Sequence, residues 1–305
     1  MIKIVFFLLL ITGLSAKTIT PTDVYAQVML INDEMHLLLK HYGVSYDDVK
    51  ITEQTAIKTP LKPRNVWQMT YEIMIKINML RVSNKLPMIE PINMEPVLNL
   101  NLDLVYEQTQ RILAEIKIFK FRKDINTLVI AKKIEYRNKT PLDVFNALNK
   151  ISVMFDMLNQ SGFTPSYVFG ESMRIYNDLT TVLNYLSIDD NTAPSARNNK
   201  ATSTDTFEVS MEILEKIKQI QFSVGIATVD FSAFRKGKVT PSKVFTMNQM
   251  ILAELQTIKA YVGLTHYITP AASIYVGKTP ADVDQLMSWC LRKVVLLRTD
   301  VRRLR

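Results

Sequence analysis

At 305 residues, with 48% hydrophobic residues and only eight glycines, the chain has the composition of a folded helical protein and not that of a disordered one. The formal charge of +8 rests on 37 lysines and arginines against 29 carboxylates. Cys290 is the only cysteine, which excludes an intramolecular disulfide. There is no Gly-rich phosphate loop, nucleophile elbow, Cys/His metal cluster or nucleic-acid-binding motif, so no cofactor, metal or nucleic acid is expected.

The first segment follows the order of a secretory signal peptide. Lys3 supplies the charge, Ile4 to Ile11 the apolar run, and Gly13, Ser15 and Ala16 the small residues before a cleavage point. A signal peptide over 1–16 is expected, cleaved after Ala16. Cleavage after Ser15 is the alternative, because Leu14 stands where a smaller side chain is preferred. An uncleaved anchor is a further reading, but the run falls short of the roughly 20 apolar residues a spanning helix needs. Later apolar runs are soon broken by charge, so no transmembrane span is expected in the mature chain. Export without disulfides fits a periplasmic or secreted location.

From residue 20 onward the chain repeats. Thr20-Pro21-Thr22-Asp23-Val24-Tyr25 recurs at Thr140-Pro141, Thr164-Pro165, Thr240-Pro241 and Thr279-Pro280, with degenerate copies at Pro63, Leu102 and Ser203. The proline position falls at 21, 63, 102 and 141, then at 165, 203, 241 and 280. Each copy reads as a helix start. Threonine caps an orphan N–H, proline presets φ without losing a bond, and Asp23, Asp143 and Asp282 take the third helical position, where a carboxylate suits the positive end of the helix dipole.

Behind each cap, apolar residues recur at alternating spacings of four and three, as in Val24, Val28, Ile31, Met35 and Leu38. The position ten beyond the proline holds isoleucine in seven copies and Cys290 in the eighth. A strict seven-residue stripe predicts near-parallel packing of helices with left-handed crossing. Five or six buried stripe residues contribute on the order of 10 kcal/mol per helix before entropy, against about 1 kcal/mol for a cap. The expected fold is therefore all-α, with two tandem duplicated four-helix units over 17–162 and 163–305. The slot after the cap, aromatic in seven of the eight copies (Tyr25, Trp67, Tyr106, Phe145, Phe169, Phe207, Phe245), reads as a plug at one end of the helix.

The connections differ. Links of 16 to 20 residues are long enough to run back along a helix, which leaves parallel and antiparallel neighbours both open. The short joint between Leu158 and Thr164 predicts a tight hairpin of the fourth and fifth helices. Asp189 to Thr204 reads as a mobile surface loop, and Tyr136, Phe234 and Tyr275, each followed by a lysine before the next Thr-Pro, as aromatics of extended segments packed across the bundle.

Two features single out binding residues. Seven positions after the proline, the stripe turns polar at Thr70, Thr109, Ser172, Ser210 and Asn248, a ring inside each bundle that either receives a ligand or bonds to its own helix backbone. The basic end, with Arg298, Arg302, Arg303 and Arg305, either caps the last helix or attracts something anionic. Glu72, Glu107, Glu115, Glu208, Glu212, Glu215 and Glu254 read as outward faces, and Cys290 as an inert core thiol. The expectation is an exported, non-catalytic binding or scaffolding protein of the cell envelope with a protein or anionic envelope partner. The alternative is a small-molecule or lipid-binding sensor domain using the bundle interior.

Overall fold

The computed structural model describes residues 18–45, 58–89, 100–129 and 134–299. The expected signal peptide, and Arg302, Arg303 and Arg305, lie outside the described residues. Among those described the chain is all-helical: α1 Pro21–His41, α2 Pro63–Ser83, α3 Leu102–Arg122, α4 Pro141–Leu158, α5 Pro165–Tyr185, α6 Ser203–Ser223, α7 Pro241–Tyr261 and α8 Pro280–Thr299. A single 3₁₀ turn, Ser232–Arg235, precedes α7.

Every helix begins at the proline position, even where proline is missing, because the cap survives without it. Thr20, Thr140 and Thr202 form reciprocal capping boxes with Asp23, Asp143 and Asp205. Thr279 does the same with Asp282. Before α3, Asn101 accepts from the Leu104 N–H at 3.2 Å. Before α2, Asn65 reaches back to the Lys62 N–H at 3.0 Å.

The helices also end alike. The residue two beyond α1, α2, α3, α5, α6 and α7 adopts positive φ (Gly43, Lys85, Asp124, Ser187, Gly225, Gly263), and the next N–H returns to a carbonyl five residues back. These are Schellman stops, in which an apolar residue, such as Leu86 or Ile125, folds back onto the core. Lys85 and Asp124 hold the left-handed conformation despite a Cβ.

Ile31, Ile73, Ile112, Ile151, Ile175, Ile213, Ile251 and Cys290 are all fully buried, as the seven-residue stripe requires. In the first set α1 and α2 each pack on both α3 and α4; in the second, α5 and α6 each pack on both α7 and α8. The helices within a set are parallel. Pro165, Ser203, Pro241 and Pro280, with Val168, Thr206, Val244 and Val283 one turn on, surround a single axial gap, so four N-termini share one end. In the first set the Lys139 N–H, just before α4, donates to Thr22 at the start of α1, and the Tyr42 hydroxyl joins the end of α1 to Asn84 at the end of α2.

Parallel helices oblige each link to return the full length of the bundle, and the contacts trace two such returns. Residues 269 to 278 descend α5: Thr269 bonds Asp178, Pro270 accepts from Arg174, Tyr275 packs on Phe169 and the Lys278 N–H donates to Ser166. Gly170 permits this approach, since a Cβ there would sit 3.1 Å from the Ser273 carbonyl oxygen. The expected mobile loop is the other return. From Asp190 to Arg197 it is strapped down α8, with Asp190 on Lys293, Thr192 on Trp289, Ser195 on Gln285 and Arg197 on Asp282. Its Asn, Ser and Thr content supplies the bonding groups of that strap. Of the three pre-cap aromatics, Tyr136 packs on Tyr25 and Tyr275 on Phe169, while Phe234 reaches Phe145 of the other set.

The expected hairpin of α4 and α5 is not the contact that joins the sets. They meet chiefly through α2 and α7. Arg64 pairs with Glu254 at 2.8 Å and Thr246 with Glu72 at 2.8 Å, so α2 and α7 run antiparallel, and with them the two bundles. The joint instead inserts Phe163, stacked on Phe245 at 3.8 Å between centroids.

Two expectations follow from the helix ends. Lys85→Gly and Asp124→Gly, which relieve left-handed strain, each raise the unfolding free energy by about 1 kcal/mol in urea titrations; a loss of stability contradicts the Schellman assignment. The Thr202 bonds hold the Asp205 carboxyl below its usual 3.8, and the Thr279 bonds do the same for Asp282. Their stabilisation is present above the ordinary carboxylate value and is lost as pH falls through the lowered one. The Asp205→Asn, Asp282→Asn double variant therefore loses less of its urea midpoint on acidification than the native chain does.

Candidate ligand-binding cleft

The polar ring expected in the bundle interior is closed on itself. In the second bundle Asn248 donates to Ser172 at 3.0 Å, Ser210 lies 3.5 Å from the Asn248 carbonyl, and both serines donate to backbone carbonyls one turn back. In the first bundle the Thr70 and Thr109 hydroxyls donate to Trp67 and Tyr106 of their own helices. These groups spend their bonding capacity on their own helices and on one another. Arg298 is exposed and donates to Gln219 at 2.6 Å. Cys290 is fully buried, and burial pushes its thiol pKa well up.

The seam between bundles carries charge that sequence patterning placed on the surface. Glu72 and Glu254 are buried, contrary to the expected outward faces, because α2 and α7 each have a second bundle against the face opposite their own core. Glu254 accepts from Arg64, Asn65 and Gln221. Glu72 accepts from Ser152 and Thr246, and Lys76, 3.5 Å away, pairs with Asp156 at 2.7 Å. Burial raises the Asp156 pKa despite Lys76 beside it. Nearby, the Glu171 carboxylate accepts from Arg174 at 2.7 Å and Gln249 at 2.8 Å. Burial alone would lower the Arg174 pKa, but Glu171 holds it above its usual value.

Beside this seam lies a cavity of about 460 Å³ between α2, α5 and the link that descends α5. Tyr71, Ile75, Met79 and Val82 of α2 form one wall, Tyr167 and Glu171 of α5 another, and residues 271 to 276 a third. The volume lies within the roughly 300–1,000 Å³ of small-molecule sites. Its walls are apolar apart from a few groups at its base. The Tyr71 hydroxyl is bonded by the Ala272 backbone, burial and the nearby Glu171 charge raise its pKa, and Arg174 lies 4.7 Å from its ring. Val82, Met88, Ile274 and Val276 stand exposed at the rim, Ile274 and Val276 at 81% and 88%. Such a site holds an apolar body and offers it few polar contacts.

Of these wall residues only Tyr275, a pre-cap aromatic, was singled out by the repeat, yet α2 carries a signal of its own. Tyr71, Ile75, Met79 and Val82, spaced by four, four and three, form a second apolar stripe off the core seam. Among the described residues no group of three His, Cys, Asp or Glu is arranged to hold a metal ion, and no helix is long and apolar enough to cross a membrane.

The ties that set the cleft wall are open to test. Lys259 at the end of α7 is fully buried and donates to Asp178 at 2.9 Å and to Thr269 at 2.6 Å, anchoring the start of the descending link. Asp178→Ala, which strands a buried ammonium, costs about 3–5 kcal/mol in urea unfolding, whereas Asp178→Leu with Lys259→Met recovers most of it. A double variant no more stable than the single one contradicts this account. The chain matches no protein-family model, no curated protein and no solved structure.

Proposed function

We propose that this chain is an exported, non-catalytic binding protein of the cell envelope, a tandem duplicate of one parallel four-helix unit, which holds an apolar small molecule or lipid-like chain in the cleft between its two units. The cleft carries the reading: a cavity of about 460 Å³ with mostly apolar walls, where α2 of the first helix set meets α5 and the α7–α8 link of the second. This replaces the bundle interior as the ligand site, since the polar ring there is already bonded within the protein.

Duplication is supported by matched details in the two bundles. Glu34 of α1 takes Lys120 of α3 at 2.5 Å, and Asp178 of α5 takes Lys259 of α7, each acid thirteen and each lysine eighteen residues after its proline position. Arg81 on Glu115 and Gln221 on Glu254 repeat the same offsets. Export rests on the n, h and c pattern of residues 1–16.

The test is titration with a fluorescent long-chain probe. The native chain binds saturably, and Met79→Trp, which fills the cleft, weakens binding by at least about tenfold, some 1.4 kcal/mol, with unchanged helical circular dichroism. Equal affinity of native and variant chains, or no saturable binding, rejects the cleft. An intact-mass measurement of protein recovered from the cell envelope reads export separately: a mature chain begins at Lys17 or Ala16, and one that retains residue 1 rejects cleavage.

A further inference from the structure

We infer that the end of the first bundle where α1, α2 and α3 terminate is a docking face for an anionic lipid bilayer. Three parallel helices bring their C-termini together there, held by the Tyr42–Asn84 bond and by Lys120, which joins α3 to Glu34 of α1 and to the Thr127 carbonyl of the following link. Phe121 is 80% exposed in the last turn of α3, and Ile118, one turn earlier on the same face, is 41% exposed. The chain then folds back through the Ile125 N–H to the Lys120 carbonyl, and Leu128, next to the Thr127 that Lys120 holds, is 84% exposed. Lys40 of α1, Lys117 and Arg122 of α3, and Lys85 and Lys123 just beyond α2 and α3 all belong to these helix ends, with Asp124 the acid next to them in sequence.

Cations at helix C-termini answer the helix dipole and need no partner. The dipole does not account for a phenylalanine and a leucine left in water among them. Isolated apolar side chains standing clear of the surface require no complementary pocket. Set at helix ends rich in lysine and arginine, they have the chemistry that enters a headgroup layer and is drawn there by anionic lipid. Helix α6 of the other bundle provides a contrast near its own C-terminus. Phe222 is 81% exposed there, but the lysines of α6 are matched, Lys218 to Glu215 at 3.6 Å and Lys216 to Glu212 at 4.0 Å.

The experiment is co-sedimentation of the full chain with vesicles of phosphatidylcholine alone and of phosphatidylcholine mixed with phosphatidylglycerol. The readout is the difference between the two, to which an apolar segment elsewhere contributes little. Expected is binding to the mixed vesicles that weakens with salt. Phe121→Ser with Leu128→Ser lowers it by about tenfold or more. Lys117→Glu, Arg122→Glu and Lys123→Glu together lower it on the order of a hundredfold. Phe222→Ser and removal of residues 300–305 leave it unchanged, and circular dichroism of every variant matches the native chain. Equal binding to both vesicle types, absence of binding, loss on removing residues 300–305, or native-like binding by both face variants overturns the inference. Met79→Trp leaves vesicle binding intact, so failure of the cleft and failure of the face are told apart.

Discussion

Parallel burial of a seven-residue seam is the constraint on which the rest of this structure depends. Antiparallel neighbours can be joined by a turn, but four parallel helices require every link within a bundle to travel back the length of a helix, about 30 Å for twenty residues. That return journey explains the long links and why they are ordered where described. Two of them are traced along the outside of a helix and bond to it, Asp190 to Arg197 along α8 and Thr269 to Lys278 along α5. Parallel alignment also gathers like dipole ends. Aspartates at the third helical position and lysines or arginines in the last turns offset that repulsion.

Register then decides where charge can be buried. With helices parallel and in step, an acid thirteen residues after the proline position faces a base eighteen residues after that position on its neighbour, as Glu34 faces Lys120 and Asp178 faces Lys259. Such pairs add little net stability over well-packed apolar residues, because desolvation offsets their attraction. Their effect is on alternatives: a helix slipped by one turn or reversed leaves a buried ammonium without its carboxylate. Glu254 is used twice, within its bundle by Gln221 and across the seam by Arg64, so the same side chain sets register inside a bundle and between bundles.

The junction is not a repeat of the internal packing. α2 meets α7, which are not equivalent members of the two sets, and they run antiparallel. As a result the C-terminal half of α2 lies beside the N-terminal half of α5, and the cleft opens between them, walled by the link descending α5. The rim residues Val82 and Met88 flank in sequence Lys85, a cation of the proposed bilayer-docking face.

The amino-acid sequence by itself determined the helices, their first residues and their buried faces. Capping and the seven-residue period are local properties, so Leu102 and Ser203 start helices without proline and every residue at the isoleucine position is buried. The Schellman stops were half legible, since Gly43, Gly225 and Gly263 mark three of them while Lys85, Asp124 and Ser187 bear no such mark. Only the tertiary structure decided that the helices of a bundle are parallel, that the Asp189 to Thr204 stretch is strapped to α8, and that Glu72 and Glu254 are buried instead of facing water. Helical periodicity reports how many faces of a helix are apolar. It does not report which neighbour covers a polar face, and the second faces of α2 and α7, where the seam lies, are covered by chain far away in sequence.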